Sequence, residues 1–235
     1  LSFSTKLSHL HPLDNPIWHA LNSLDLKMNQ GNAETAYFFP EISPFVGLQK
    51  WDQPSQEQLF DILPAGRTVS TMINPAFELA DSFEPVFSLM LYQLVCSSPK
   101  PYKQVQAPIK TLDYSFVPAM IELTALTKPG PFVERTIDFG NYMGVLEEGK
   151  LLAMAGERLH LPDYTEVSAV CTHPDHLGKG YAAGLVNHLT NQIIGQGKSA
   201  FLHVRQDNER AIELYKGLGY EIRTEMYFAV IKPKK

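Results

Sequence analysis

Residues Leu177-Gly178-Lys179-Gly180-Tyr181-Ala182 combine features that suit an anion. They follow a strand-like run, Thr165 to Thr172, and the turn His173-Pro174-Asp175-His176. They open a helix in which Leu185, Leu189 and Ile193, with Val186 and Ile194, share one face. The first turn of a helix carries N–H groups with no partner inside the helix, at the positive end of its dipole. Glycines at 178 and 180 let the backbone approach a ligand closely, and Lys179 adds charge at the rim. The P-loop spacing G-x-x-x-x-G-K-[ST] is not met, because Tyr181 follows Gly180. The dinucleotide fingerprint G-x-G-x-x-G/A is met by Gly178, Gly180 and Ala183, with Asp207 downstream. Five residues including Pro174 separate the strand from the first glycine, and fewer than 30 residues follow Asp207 to complete a doubly wound sheet. A nicotinamide-dependent oxidoreductase therefore stands as an alternative.

A second motif lies downstream. Asn208-Glu209-Arg210-Ala211-Ile212-Glu213-Leu214-Tyr215 continues to Gly219-Tyr220 and reads as a short helix closed by Gly217 and Gly219. Asn208 and Tyr215 are seven residues apart, which is two helical turns, so both point to one side. The two motifs together resemble the GNAT (GCN5-related) N-acetyltransferase superfamily. The loop [QR]-x-x-G-x-[GA] aligns with Leu177 to Ala182, departing where Leu177 replaces Gln or Arg, and N-x-x-A-x-x-x-Y-x-x-x-G-[FY] is met in full from Asn208 to Tyr220. In order of elements the resemblance extends from about Lys103 to Ile231.

The resemblance implies an acyltransferase using acetyl-CoA as co-substrate, with direct transfer to an amine, no covalent enzyme intermediate and no metal. A splayed strand would offer backbone groups of Val170, Cys171 and Thr172 to the pantetheine arm. The amides of Leu177, Gly178, Lys179, Gly180, Tyr181 and Ala182 would hold the pyrophosphate. Asn208 would touch the cofactor arm, or cap its own helix. A lysine-like amine is neutral in about one molecule in a few thousand at pH 7, and an α-amine in about one in ten, so a base is valuable. The resemblance places Glu166 there, with a pKa raised by partial burial. His203 in the adjacent strand is the alternative base. Tyr215 takes the position of the general acid for the departing thiolate. Cys171 as a nucleophile has no His or Asp placed to activate it. A noncatalytic acyl-CoA sensor is a further alternative. The acceptor, a small-molecule or peptide amine, is not readable.

These residues need a frame. Strand-like segments occur at Ala36 to Phe39, Pro44 to Gln49, Arg67 to Ile73 and Val86 to Val95, with a short helix from Ser55 to Leu63 capped by Ser55 or Asp52. Trp18, His19, Trp51 and Tyr37-Phe38-Phe39 could line a substrate pocket, although aromatics of this kind are more often core. Ser97-Ser98-Pro99-Lys100-Pro101 reads as a connection between units. This divides the chain into an N-terminal α+β domain, residues 1–102, conceivably a degenerate acetyltransferase-like half, and an acetyl-CoA-binding domain, 103–235. A strand at Lys103 to Ala107 and a helix from Asp113 follow. Tyr142 to Leu146 and Leu151 to Glu157 form a hairpin around Glu147-Glu148-Gly149-Lys150. The chain ends with the strand Ala200 to Val204, the Asn208 helix and one or two strands between Tyr220 and Ile231. The fold class is mixed α/β.

Composition sets the outer bounds. Of 235 residues 44% are hydrophobic and 19% charged, which suits a packed globular chain. A net charge of -5 gives no overall reason to expect nucleic acid or a membrane surface as partner. Cys96 and Cys171 lack the spacing of a disulfide framework or zinc site. The longest apolar run, Val86 to Cys96, is about half of what a bilayer span requires. Leu1 to Leu7 lacks the features of a secretory signal, so a cytoplasmic setting is expected. A homodimer is left open.

Overall fold

The structure, a computed structural model, describes residues 11–102 and 107–235. The helix α1 (Pro16–Leu21) precedes a two-stranded antiparallel ribbon of β1 (Thr35–Tyr37) and β2 (Val46–Leu48). The helix α2 (Gln53–Ile62) starts at Asp52, whose carboxylate accepts from the Ser55 amide. The strands β3 (Val69–Ile73), β4 (Phe83–Cys96) and β5 (Ile109–Thr111) come next, then α3 (Val117–Thr127), which follows a turn capped by Asp113. The hairpin of β6 (Met143–Glu147) and β7 (Lys150–His160) turns on Glu148 and Gly149, both at positive φ, a two-residue turn matching strand twist. The order closes with β8 (Tyr164–Thr172), α4 (Tyr181–Gly195), β9 (Ser199–Arg205), α5 (Glu209–Gly217) and β10 (Glu221–Pro233).

Eight strands form one sheet in the order β3-β10-β4-β9-β8-β7-β6-β5. All neighbours are antiparallel except β8 and β9, which α4 connects. A doubly wound parallel sheet is absent from the described residues, which removes the structural basis of the nicotinamide reading.

Side chains alternate across the sheet as a period of two requires. Met154 and Phe201 face the core under α1 and α3, with Ile17, Val117 and Met120. Ala153, Ala155, Ala200 and Leu202 face α4 and α5, meeting Leu185, Val186, Leu189 and Ile212. The mixed α/β expectation holds. The division at Ser97–Pro101 does not mark separate sheets: β4, from the first segment, lies between β10 and β9, and β3 pairs with β10. Local composition showed a polar, Pro-rich connection there but not the pairing of β4 with a strand 125 or more residues later. The expected strand at Lys103 to Ala107 falls almost wholly outside the described residues.

Candidate active site

The site begins where β8 parts from β9. They pair only through Tyr164 with Ser199, Thr165 with Ala200 and Glu166 with Phe201. Beyond Glu166 the strands diverge, while the other edge of β8 stays paired with β7. A register shift between Gly156 and Met154 coincides with Ala169 at φ 52, a left-handed torsion that a side chain resists. The bulge re-aims Val170 to Thr172, whose edge towards β9 is left without strand partners.

After β8 comes a 3-10 turn, Pro174–His176, in place of a direct passage into the helix. Gly178 and Gly180 stand at φ 80 and 78, and Gly180 is the residue preceding α4. The amides of Gly178 through Ala183 find no acceptor among the described residues, so they converge unpaired at the start of a 15-residue helix. A Cβ at 180 would sit 2.9 Å from the Tyr102 hydroxyl. Leu177 is exposed and contributes no polar side chain, and Lys179 leans on His176 with Nζ to Nδ1 3.2 Å.

Asn208 caps α5: its Oδ1 accepts from the Ala211 amide at 3.2 Å. Seven residues on, Tyr215 is buried, and burial pushes its phenol up to about 12. Val170, Cys171, Thr172, Leu177, Asn208 and Tyr215 all line one cavity of about 920 Å³, which continues past Arg158 and His203 to Phe45, Met72 and Phe228. Gly178 to Ala182 adjoin Leu177 outside that lining. The structure thus brings the strand, the loop entrance and α5 to one place. Cys171 is pushed up to about 11 by burial, the wrong direction for a nucleophile.

Glu166 requires correction as the base. It is fully enclosed, absent from the cavity lining, and gripped by Arg158, with Nε to Oε2 2.7 Å and Nη2 to Oε1 2.6 Å. Burial alone would raise its pKa, but the charge and hydrogen bonds of Arg158, with a bond from His203, outweigh it and hold the carboxyl at about 2. A carboxylate held by three donors and enclosed away from the cavity takes up no proton near neutrality at that pKa. His203 is committed too. Arg223 donates to Gln93 Oε1, which orients the amide so that Gln93 Nε2 donates to the Leu13 carbonyl at 2.8 Å and to His203 Nε2 at 3.0 Å. His203 therefore donates from Nδ1 to Glu166 at 2.7 Å, and its second nitrogen is occupied.

Arg158, Gln93 and Phe45 escaped the reading of motifs. The available signal was Glu157-Arg158, two charges inside the apolar run Leu151 to Leu161. Of the aromatic candidates, Phe38 is core against Phe139, and Trp51 packs on Phe77 at 4.2 Å between centroids. Trp18 and His19 line a separate small recess with Tyr164, so none of the proposed aromatics reaches the large cavity.

Comparison with known proteins supports the resemblance read from the two motifs. The family described as FR47-like protein matches residues 142–229, and a GNAT-family protein from Novosphingobium aromaticivorans superimposes with TM-score 0.88 at 28% identity over 96% of this chain and 100% of that one. In sequence over that segment, and in fold over nearly its whole length, the chain is similar to GNAT proteins. A GCN5-related N-acetyltransferase from Kribbella flavida shares the fold, with TM-score 0.63 at 14% identity over 92% and 94% of the two chains. Mycothiol acetyltransferase of Mycolicibacterium gilvum is 31% identical over 94 residues, 37% of this chain and 31% of that protein. An acetyltransferase of Yersinia pestis (strain Pestoides F) is 38% identical over 50 residues, 21% of this chain and 36% of that protein. The chain thus spans about a third of the curated relatives it matches. No helix of the described residues is long and apolar enough to cross a membrane.

Proposed function

We propose that this protein is an N-acyltransferase that moves an acetyl group from acetyl-CoA to an amine by direct attack in a ternary complex. One observation carries the reading: the unpaired edge of β8, the free amides of 178–183 and the Tyr215 phenol share one continuous region of the molecule. The fit to acetyl-CoA is chemical. Its pyrophosphate needs several donors without competing acceptors, which the loop amides offer, and its pantetheine amides need backbone partners such as Val170 to Thr172. The carboxamide nitrogen of Asn208 is left for the same arm once Oδ1 has capped α5.

Acetyl-CoA supplies the activated thioester. The splayed strands hold the carbonyl between Tyr215 and the deeper cavity, and an amine entering there bonds to the carbonyl carbon as the carbon–sulfur bond breaks. Tyr215 steadies the departing sulfur. At about 12 the phenol is a weaker acid than a thiol near 8.5, so it keeps its proton while donating a hydrogen bond to the developing thiolate. Glu166 is sealed from the cavity and both ring nitrogens of His203 are hydrogen-bonded, so the amine reacts from its neutral fraction, and the proton its nitrogen sheds as the amide forms passes to the departing thiolate to give the free thiol. Melting of the purified protein with acetyl-CoA and with NAD, followed by thiol release over an amine panel, tests this. Stabilisation by acetyl-CoA alone and thiol release with at least one amine class are expected; stabilisation by NAD alone, or acetyl-CoA binding without turnover on any amine, defeats it.

A further inference from the structure

The deep part of the cavity has a one-sided chemistry. Its walls beyond the thioester position include Phe45, Met72, Leu91 and Phe228, all apolar. The ionised side chains around it are Lys128, Arg158 and Arg205, and no aspartate or glutamate is among the lining residues. Lys128 and Arg205 lie at the rim, Arg205 paired with Asp207 at 2.6 Å, whereas Arg158 is buried. Glu166 is sealed behind Arg158. A substrate bearing a second cation would meet no counter-charge here.

Arg158 is itself only partly used. Nε and Nη2 bind Glu166, and the guanidinium lies over the Phe45 ring, 4.8 Å from its centroid. Nη1 makes no hydrogen bond among the described residues, and it is not among the fully enclosed polar atoms that lack a partner, so it opens on the cavity. The Glu166 pair fixes the plane of the guanidinium, which leaves the two Nη1 hydrogens as preorganised donors toward a cavity lined by Phe45, Met72 and Phe228 together with Ser70, Thr124 and Thr127.

We infer that the acceptor is an apolar amine that also carries a carboxylate, such as an amino acid with a hydrophobic side chain, and that Arg158 Nη1 binds that carboxylate while Phe45, Met72 and Phe228 surround the side chain. The inference rests on the N-acyltransferase reading for the location of the acceptor. A charge-assisted bond to a guanidinium whose plane is already fixed gives the acid an advantage of about tenfold or more over a neutral analogue.

The test compares phenylalanine, phenylalanine amide and phenylethylamine as acceptors, and N-acetylphenylalanine with its amide as ligands of the free protein. The acids are expected to win by at least tenfold, in kcat/KM and in Kd by calorimetry. The amide's amine is more often neutral than that of the amino acid, so greater amine availability does not explain a preference for the acid. Arg158→Gln made together with Glu166→Gln leaves no unpaired charge; it is expected to keep stabilisation by acetyl-CoA and to erase the preference. Equal or better binding and turnover of the neutral compounds overturns the inference and leaves the N-acyltransferase reading intact. Loss of turnover on every amine, with N-acetylphenylalanine still preferred over its amide, defeats the enzymatic reading and retains the carboxylate site. If the double variant fails to fold, the ligand pairs on the unaltered protein still decide.

Discussion

Tyr215 lines the cavity and Glu166 lies behind Arg158, outside its lining, so their surroundings give them opposite relations to it. Glu166 has exchanged its solvent for a bidentate guanidinium and an imidazole N–H, so removing its charge leaves Arg158 buried without a counter-ion. Glu166→Gln is expected to cost about 3–5 kcal/mol of stability, read by urea unfolding, because a buried pair is broken on one side. In the unaltered protein the rate should rise with pH as the acceptor amine loses its proton, with no limb from an enzyme carboxylate between pH 5 and 8, since Glu166 titrates near 2. A rate limb in that range that Glu166→Gln removes would restore it as the base. Tyr215 is the reverse case: its removal spares the core pairings but takes away the donor proposed to face the sulfur. Tyr215→Phe is expected to lower kcat about 100-fold while KM for acetyl-CoA changes little. Unchanged kcat in the folded variant would reduce Tyr215 to packing.

At the scale of elements, the proposed phosphate loop depends on two torsions that are wrong for ordinary residues. Gly180 at φ 78 ends the approach to α4, and a Cβ there would press on the Tyr102 hydroxyl at 2.9 Å. Gly180→Ala pays about 1–2 kcal/mol for the torsion, which the backbone relieves by turning its amides away from the ligand. Acetyl-CoA affinity should fall about tenfold by calorimetry, and undiminished affinity would mean that the loop amides do not bind the pyrophosphate. The loop, the hairpin at Glu148-Gly149 and the cap at Asn208 were legible because each is a local event spelled by neighbouring residues. The bulge at Ala169 was not, because alanine gives no warning of a positive φ imposed by the strands on either side. Glu166 was placed in the right strand and given the wrong environment. Its partner Arg158 lies across a hairpin and His203 across the splay, so both contacts are products of tertiary pairing.

Across the whole molecule, buried polar links tie the N-terminal segment to the sheet that carries the site. Asp14 pairs with Arg223 on β10, which orients Gln93 on β4 and through it His203 on β9. Asp25 holds the end of β7 by accepting from the His160 amide at 3.0 Å and from its Nδ1 at 2.9 Å, while Nε2 donates to Glu157 at 3.2 Å. Burial alone would lower the pKa of His160, but these two carboxylates outweigh it and raise the imidazole to about 9 from 6.5. A folded-state pKa above the unfolded one gives stability that is fully present below 6.5 and lost as pH rises through 9, on the order of 3 kcal/mol. Glu166 has the opposite sign: its stabilisation is present above 4.5 and lost as pH falls through 2. Together they place the plateau of stability between about pH 4.5 and 6.5, with an alkaline decline that belongs to His160. Urea unfolding from pH 6 to 9.5 should show that decline in the unaltered protein. His160→Gln should be less stable at pH 6 and flatter above it, because it removes the imidazolium between Asp25 and Glu157. An equally steep decline in the variant would mean that the link between the N-terminal segment and β7 is not held by the imidazolium charge.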